Sequence, residues 1–163
     1  MPTKSLLTAT ARQLLSDAAA SELFVSNLYQ HLSNHMQRIG RFGAAAFFAR
    51  ESLSERGHYL RLADYFNQRG DMVPMPAIDA CSESPADIAA AFEIAYSTEV
   101  QLEADYVRWF KACDCEITRQ FLLGFLEEQR KSVGEYGDLI AELDRAGTDP
   151  AALMLFDRNL AGE

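Results

Sequence analysis

The sequence predicts an all-α protein: a four-helix bundle with one long crossover loop and a short fifth C-terminal helix. Three observations predict it. Apolar residues recur with helical spacing along four long segments. Glycine and proline are scarce, 9 and 5 among 163 residues, so little interrupts those segments. One aperiodic stretch, residues 70–84, separates the second segment from the third.

The first helix is expected from about Ser5 to Met36, ending before a turn bracketed by Gly40 and Gly43. The second runs from about Ala44 to Gln68 and stops at Gly70. The third begins near Pro85, a favourable first-turn position after Ser84, and continues to about Ala112. The fourth covers roughly Glu116 to Arg145 and stops at Gly147; the fifth spans Pro150 to Leu160 with Asp149 as its cap. Short turns make neighbouring helices antiparallel. The stretch 70–84 is long enough, about 50 Å at ~3.3 Å per residue, to travel the length of the bundle. A helix of roughly 27 residues measures only about 40 Å. The second and third helices can therefore run parallel, and residues 1–163 read as a single domain, with the bundle over about 5–145 and the fifth helix over about 150–160.

Charge and cysteine content exclude several classes. Lys and Arg number 15 against 24 Asp and Glu, a net charge of −9, and no basic run occurs, so no nucleic-acid partner is expected. No apolar stretch approaches the ~20 residues that cross a bilayer, so no membrane association is expected. The segment Met1 to Gln13 lacks the apolar core of a secretory signal. Cys81, Cys113 and Cys115 have no zinc-site spacing and read as reduced thiols. A cytoplasmic location follows as an expectation.

The apolar stripes carry the functional signal. At 100° per residue the first reads Ala11, Leu14, Leu15, Ala18, Glu22, Val25, Tyr29, Leu32 and Met36. The second passes through Phe48, Glu51, Glu55, His58 and Leu62, the third through Phe92, Glu99, Leu102, Tyr106 and Phe110, and the fourth through Phe125, Gln129, Val133 and Tyr136. Each is broken near its middle by a group that binds metal or hydrogen-bonds strongly: Glu22, Glu55 with His58, Glu99, and Gln129. Singly, such residues are ordinary: a glutamate at a stripe's edge, a solvated Glu-x-x-His, a core amide, a packed Tyr29. Together they place three carboxylates in one core, each costing several kcal/mol unless paired, which bound cations would relieve. Carboxylate oxygens and an imidazole suit iron or manganese. Glu55 and His58, three apart, project from one helix face and can grip one ion. Glu51, nearer its helix start, is expected to be solvated.

These residues and their surroundings resemble ferritin. The run Ala20-Ser-Glu-Leu-Phe-Val-Ser-Asn-Leu-Tyr29 is similar to the family segment carrying a glutamate ligand and a site tyrosine. Arg41-Phe-Gly-Ala-Ala-Ala-Phe-Phe48, followed by Ser52-Leu-Ser-Glu-Arg-Gly-His58, resembles the second-helix entry and its Glu-x-x-His. Phe121-Leu-Leu-Gly-Phe-Leu-Glu-Glu-Gln129 resembles the fourth-helix pattern, and Ala151 to Leu160 the short fifth helix. The resemblance implies that Glu22, Glu55 and His58 hold a first iron with Glu55 bridging, and that Glu99 completes a second position. Gln129 would orient a water or oxygen species beside it, and Tyr29 would hydrogen-bond near the site and supply an electron. It also implies Fe(II) oxidation by dioxygen or hydrogen peroxide and storage of Fe(III) mineral in a homo-oligomeric cage of 24 subunits.

Departures from the family pattern refine the subtype. Arg56 replaces the haem-binding methionine of bacterioferritins, and Gln129 and Ser132 replace their second Glu-x-x-His. A non-haem, prokaryotic-type ferritin with a site like that of animal heavy chains is implied, and no haem is expected. Ser54 and Lys131 stand where some bacterial members carry third-site glutamates, leaving only Glu128. Arg119 and Leu122 replace acidic entry residues, and Ser54, Gly57 and Leu60 replace interior mineral-nucleating glutamates. The alternative reading is a cage subunit of low catalytic activity that buffers iron or serves as a structural partner. A rubrerythrin-like oxidase would need Cys-x-x-Cys pairs, and a mini-ferritin would lack the fifth helix.

Overall fold

The computed structural model describes residues 4–162, which form five helices: α1 (Ala9–Arg38), α2 (Phe42–Gln68), α3 (Ile88–Ala112), α4 (Glu116–Ala146) and α5 (Pro150–Leu160). The expected all-α class and helix order are observed. Met1 to Thr3 and Glu163, part of the expected domain and signal-free N-terminus, lie outside the described residues.

Two helix starts differ from expectation, and capping explains both. The first helix does not begin at Ser5. The Ser5 hydroxyl donates to Asp71 at 2.8 Å and the Leu6 amide to the Arg69 carbonyl at 2.9 Å, which holds this segment against the start of the crossover. Thr8, extended, then accepts from the Ala11 amide at 3.0 Å and opens α1. The third helix does not begin at Pro85 either. Asp87, fully extended, accepts from the Ala90 amide at 2.9 Å, and its carboxylate also complements the helix dipole, which the Ser84 hydroxyl would not. The Asp149 cap of α5 is as expected, with the Ala152 amide donating at 2.7 Å. Gly147, at φ 54°, ends α4 in the left-handed region where glycine is favoured.

Cross-helix pairs fix the topology. Tyr29 and Glu99, and Glu22 and Tyr106, join α1 to α3 with numbering running in opposite senses. Arg61 with Glu128 and Tyr65 with Thr118 do the same for α2 and α4. Since α1 and α2 also pack antiparallel across a short turn, α2 and α3 are parallel, and residues 71–85 make the long crossover without regular structure. Small residues let α1 and α2 approach: the Ser26 hydroxyl donates to the Ser52 carbonyl at 2.8 Å, and Ser52 returns the bond to the Ser26 carbonyl at 2.7 Å.

The core follows the expected stripes except that Val133 on α4 is only half-buried and two neighbours on α3 change places. On α3, Trp109 is buried and Phe110 only half-buried, because Trp109 packs edge-on against Tyr106 one turn earlier, with ring centroids 5.0 Å apart. The α5 helix docks on the entry of α2: the Ala44 amide donates to Asp157 at 2.9 Å, and Phe156 packs on Phe92 at 5.6 Å. Cys81, Cys113 and Cys115 are free thiols. No described helix is long and apolar enough to cross a membrane.

Candidate metal centre

The four interrupted stripes meet inside the bundle. Glu22, Glu55, Glu99 and Gln129 are all at most 4% exposed, far below what a charged side chain accepts without a partner. Each is carried by a different helix, at the level where apolar neighbours on both flanks keep water out. The 3.6-residue repeat decides this. A glutamate at a stripe position must point inward once its neighbours one turn away, such as Ala18 and Val25 around Glu22, are buried.

Within this polar layer the sequence-predicted residues divide into two groups. Glu22, Glu55 and His58 each offer a ligand atom, and these atoms lie within 4.8 Å of one another. His58 Nδ1 is 2.7 Å from Glu55 and 3.5 Å from Glu22. Glu99 is outside that cluster and is occupied by the protein itself. The Tyr29 hydroxyl donates to one of its carboxylate oxygens and the Gln129 amide to the other, while Gln129 also donates to the Glu99 carbonyl at 3.1 Å. The half-buried Glu51 is not fully solvated as expected. Burial, with Glu55 and Glu135 nearby, raises its pKa.

Tyr106 is the residue that sequence reasoning placed in the core without assigning it to the site. Its buried hydroxyl donates to Glu22 Oε1. A signal was present: Tyr29 follows Glu22 by seven residues, and Tyr106 follows Glu99 by seven. Because α1 and α3 are antiparallel, the two Glu-to-Tyr repeats pair crosswise, each phenol bonding the other helix's carboxylate. The same interval places Tyr136 after Gln129, and its ring stacks on Tyr29 with centroids 6.1 Å apart.

The electrostatics are those of several carboxylates buried close together. Burial pushes Glu55 up to about 7, with His58 opposing and Glu22 adding to the rise. Burial likewise raises Glu99 to about 7, with the Glu55 charge adding to it. Burial works to lower the His58 pKa, but the Glu22 and Glu55 carboxylates outweigh it and hold the ring protonated up to about 10. Burial raises the phenols of Tyr29 and Tyr106 well above their ordinary value, and the neighbouring carboxylates raise them further. Protons thus supply what positive charge the layer has.

One atom tests whether a cation fits. Glu22 Oε2 is buried with no hydrogen-bond partner, although Oε1 of the same group is held by Tyr106. Leaving such an oxygen unsatisfied costs about 1–3 kcal/mol, more for a charged group. His58 Nδ1 lies 3.5 Å from it, an ion-pair contact without a hydrogen bond, and Glu22 is one of the three residues whose ligand atoms lie within 4.8 Å of one another. Two carboxylates and an imidazole make a donor set suited to a divalent first-row cation such as iron.

Comparisons with known proteins show the family and the fold. A family profile described as a ferritin-like domain matches residues 12–146. The chain is 32% identical over 146 residues to a ferritin of Pacifastacus leniusculus, covering 85% of this chain and 81% of that one. It is 27% identical over 149 residues to a bacterial non-heme ferritin of Bacteroides fragilis, covering 90% and 92%. In three dimensions it superimposes on an open-pore ferritin from Archaeoglobus fulgidus with a TM-score of 0.92 at 22% identity, covering 96% of this chain and 99% of that one.

Proposed function

Given that this chain belongs to the ferritin family of iron-storage proteins, we propose that it oxidises Fe(II) with dioxygen or hydrogen peroxide at a di-iron centre inside each subunit and stores the Fe(III) as mineral in a hollow cage. Fe(II) is the substrate and Fe(III) the cargo; no haem takes part. Residues 1–163 act as one ferritin-like domain, in the cytoplasm. The observation that carries the reading is Glu22 Oε2, buried without a hydrogen bond, in the compact group formed by Glu22, Glu55 and His58.

The residues divide the work as follows. Tyr106 holds Glu22 by one oxygen and leaves the other free for the first ion. Glu55 and His58 supply the remaining ligands of that position, with Glu55 bridging, and release protons as the cation arrives. Glu99 serves the second position once Gln129 yields one of its oxygens, and Gln129 then orients a water or oxygen species beside the ion. Tyr29 holds the other Glu99 oxygen and is placed to give up an electron. Two Fe(II) ions surrender two electrons, which with two protons take dioxygen to hydrogen peroxide or hydrogen peroxide to two waters, and the protein contributes ligands, open positions and exclusion of bulk water.

Assembly into a 24-subunit homo-oligomer is part of the proposal. The α5 helix supports it, since Met154 and Leu155 are 58% and 60% exposed there, apolar surface that a neighbouring subunit would cover. The test is aerobic addition of Fe(II) to metal-free protein, following Fe(III) absorbance and particle size on one sample. Rapid oxidation by a large particle is expected, with Glu55→Ala at least tenfold slower. An unchanged rate in Glu55→Ala would overturn the site, and a monomer or dimer would overturn the cage. Slow oxidation by a large particle would favour the low-activity iron-buffering subunit.

A further inference from the structure

The two ring nitrogens of His58 face different carboxylates. Nδ1 points into the cluster with Glu55 and Glu22, whereas Nε2 lies 3.4 Å from an oxygen of Glu128 on α4. A neutral imidazole has one lone pair and one N–H, so a ring that offers Nδ1 to a cation must carry its proton on Nε2. Only an acceptor on the Nε2 side favours that tautomer, and Glu128 is the acceptor there.

Glu128 is itself held in place. Arg61 Nη1 donates to both of its carboxylate oxygens, at 2.6 and 2.5 Å. The guanidinium lies 4.4 Å above the Phe125 ring, whose centroid is 5.9 Å from that of His58 in an edge-on contact. Gly124 leaves the guanidinium room, since a Cβ there would come within 3.3 Å of Arg61 Nη2. One stretch of α4, Gly124, Phe125 and Glu128, thus shapes a seat for Arg61 and a wall for His58. The Arg61 cation already balances the Glu128 charge, so Glu128 needs no metal of its own.

We infer that Glu128, clamped by Arg61, is a positioning residue for His58, accepting from Nε2–H so that the Nδ1 lone pair faces the Glu22–Glu55 cluster. The inference rests on the proposed metal-holding role of His58. Partners of this kind, opposite a ligating histidine, change metal affinity by about 10–100-fold. As an ion pair the Arg61–Glu128 contact contributes little to folding, since its side chains are 41% and 40% exposed. Affinity and stability therefore separate.

The experiment titrates metal-free protein with Zn(II), a non-oxidisable probe, by calorimetry, and melts the same samples with a chelator present. Glu128→Leu should weaken the tightest zinc site by about 10–100-fold while keeping the number of ions bound and the melting temperature. Glu128→Gln, whose amide carbonyl still accepts, should recover most of the affinity. Parental affinity in Glu128→Leu, alongside a weakened His58→Ala control, overturns the inference alone. Loss of one bound ion in Glu128→Leu also overturns it, because Glu128 would then be a ligand. Unchanged zinc binding in His58→Ala overturns both the inference and the site reading beneath it.

Discussion

Replacing Glu99 by glutamine should stabilise the metal-free protein at alkaline pH while removing its second metal position. Burial raises the Glu99 carboxyl from an ordinary 4.5 to about 7 in the fold. A group raised on folding lends its stability below the unfolded value and loses it as pH climbs through the folded one. Here the loss runs from about pH 4.5 to pH 7. At about 1.4 kcal/mol per pH unit, ionised Glu99 costs the metal-free fold about 3 kcal/mol at pH 8. Glutamine keeps the acceptor for Tyr29, and Gln129 can turn its carbonyl to the new amide. The Gln129 bond to the backbone carbonyl at 99 is given up, at about 1 kcal/mol. The net gain is about 2 kcal/mol, or roughly 4–8 °C in melting temperature for a chain of this length. Thermal melts of chelator-treated parent and Glu99→Gln at pH 5 and pH 8 measure it. Zinc calorimetry on the same samples should show one ion fewer per subunit. No gain at pH 8, or an equal gain at pH 5, would refute the claim that a buried, metal-seeking carboxylate burdens the empty site.

Other changes probe the surroundings of the centre. Tyr106→Phe strands Glu22 Oε1 as well as Oε2, and chelated protein should lose about 1–3 kcal/mol in a melt, a deficit that added zinc reduces. Gly43→Ala places a Cβ 1.5 Å from the Asp157 carbonyl oxygen, a backbone atom that cannot rotate away. A loss of about 1–3 kcal/mol is expected, with faster proteolytic cleavage near Gly147 as α5 lifts from α2. Unchanged cleavage would show that α5 is held by something other than this close approach.

Much of the molecule was legible because its information is local and periodic. The buried faces of α1, α2 and α4 follow from 100° per residue, and so does the inward aim of Glu22, Glu55, Glu99 and Gln129. Errors fell where two local options compete. Ser84 and Asp87 both offer caps, and the carboxylate prevails; Trp109 and Phe110 both extend the stripe, three and four residues past Tyr106, and the contact with Tyr106 chooses between them. Glu51 lies on its stripe, but whether such a residue is wet depends on how far α4 covers it. Glu128 carries no such mark. It is half-buried, off the apolar stripe, and has meaning only through Arg61 and His58 on another helix.

By itself the sequence determined the number and polarity of the helices, the reach of the crossover and the level at which carboxylates enter the core. Spacing along one chain fixes each of these. The tertiary structure decided how the polar layer is divided. Glu22, Glu55 and His58 bring their ligand atoms within 4.8 Å of one another, with one Glu22 oxygen left without a hydrogen bond, while Glu99 is already engaged by Tyr29 and Gln129. Tyr106 answers Glu22 across 84 residues of chain. A hydrogen bond tolerates only a few tenths of an ångström, and the register of one helix against another is set by the whole packed core.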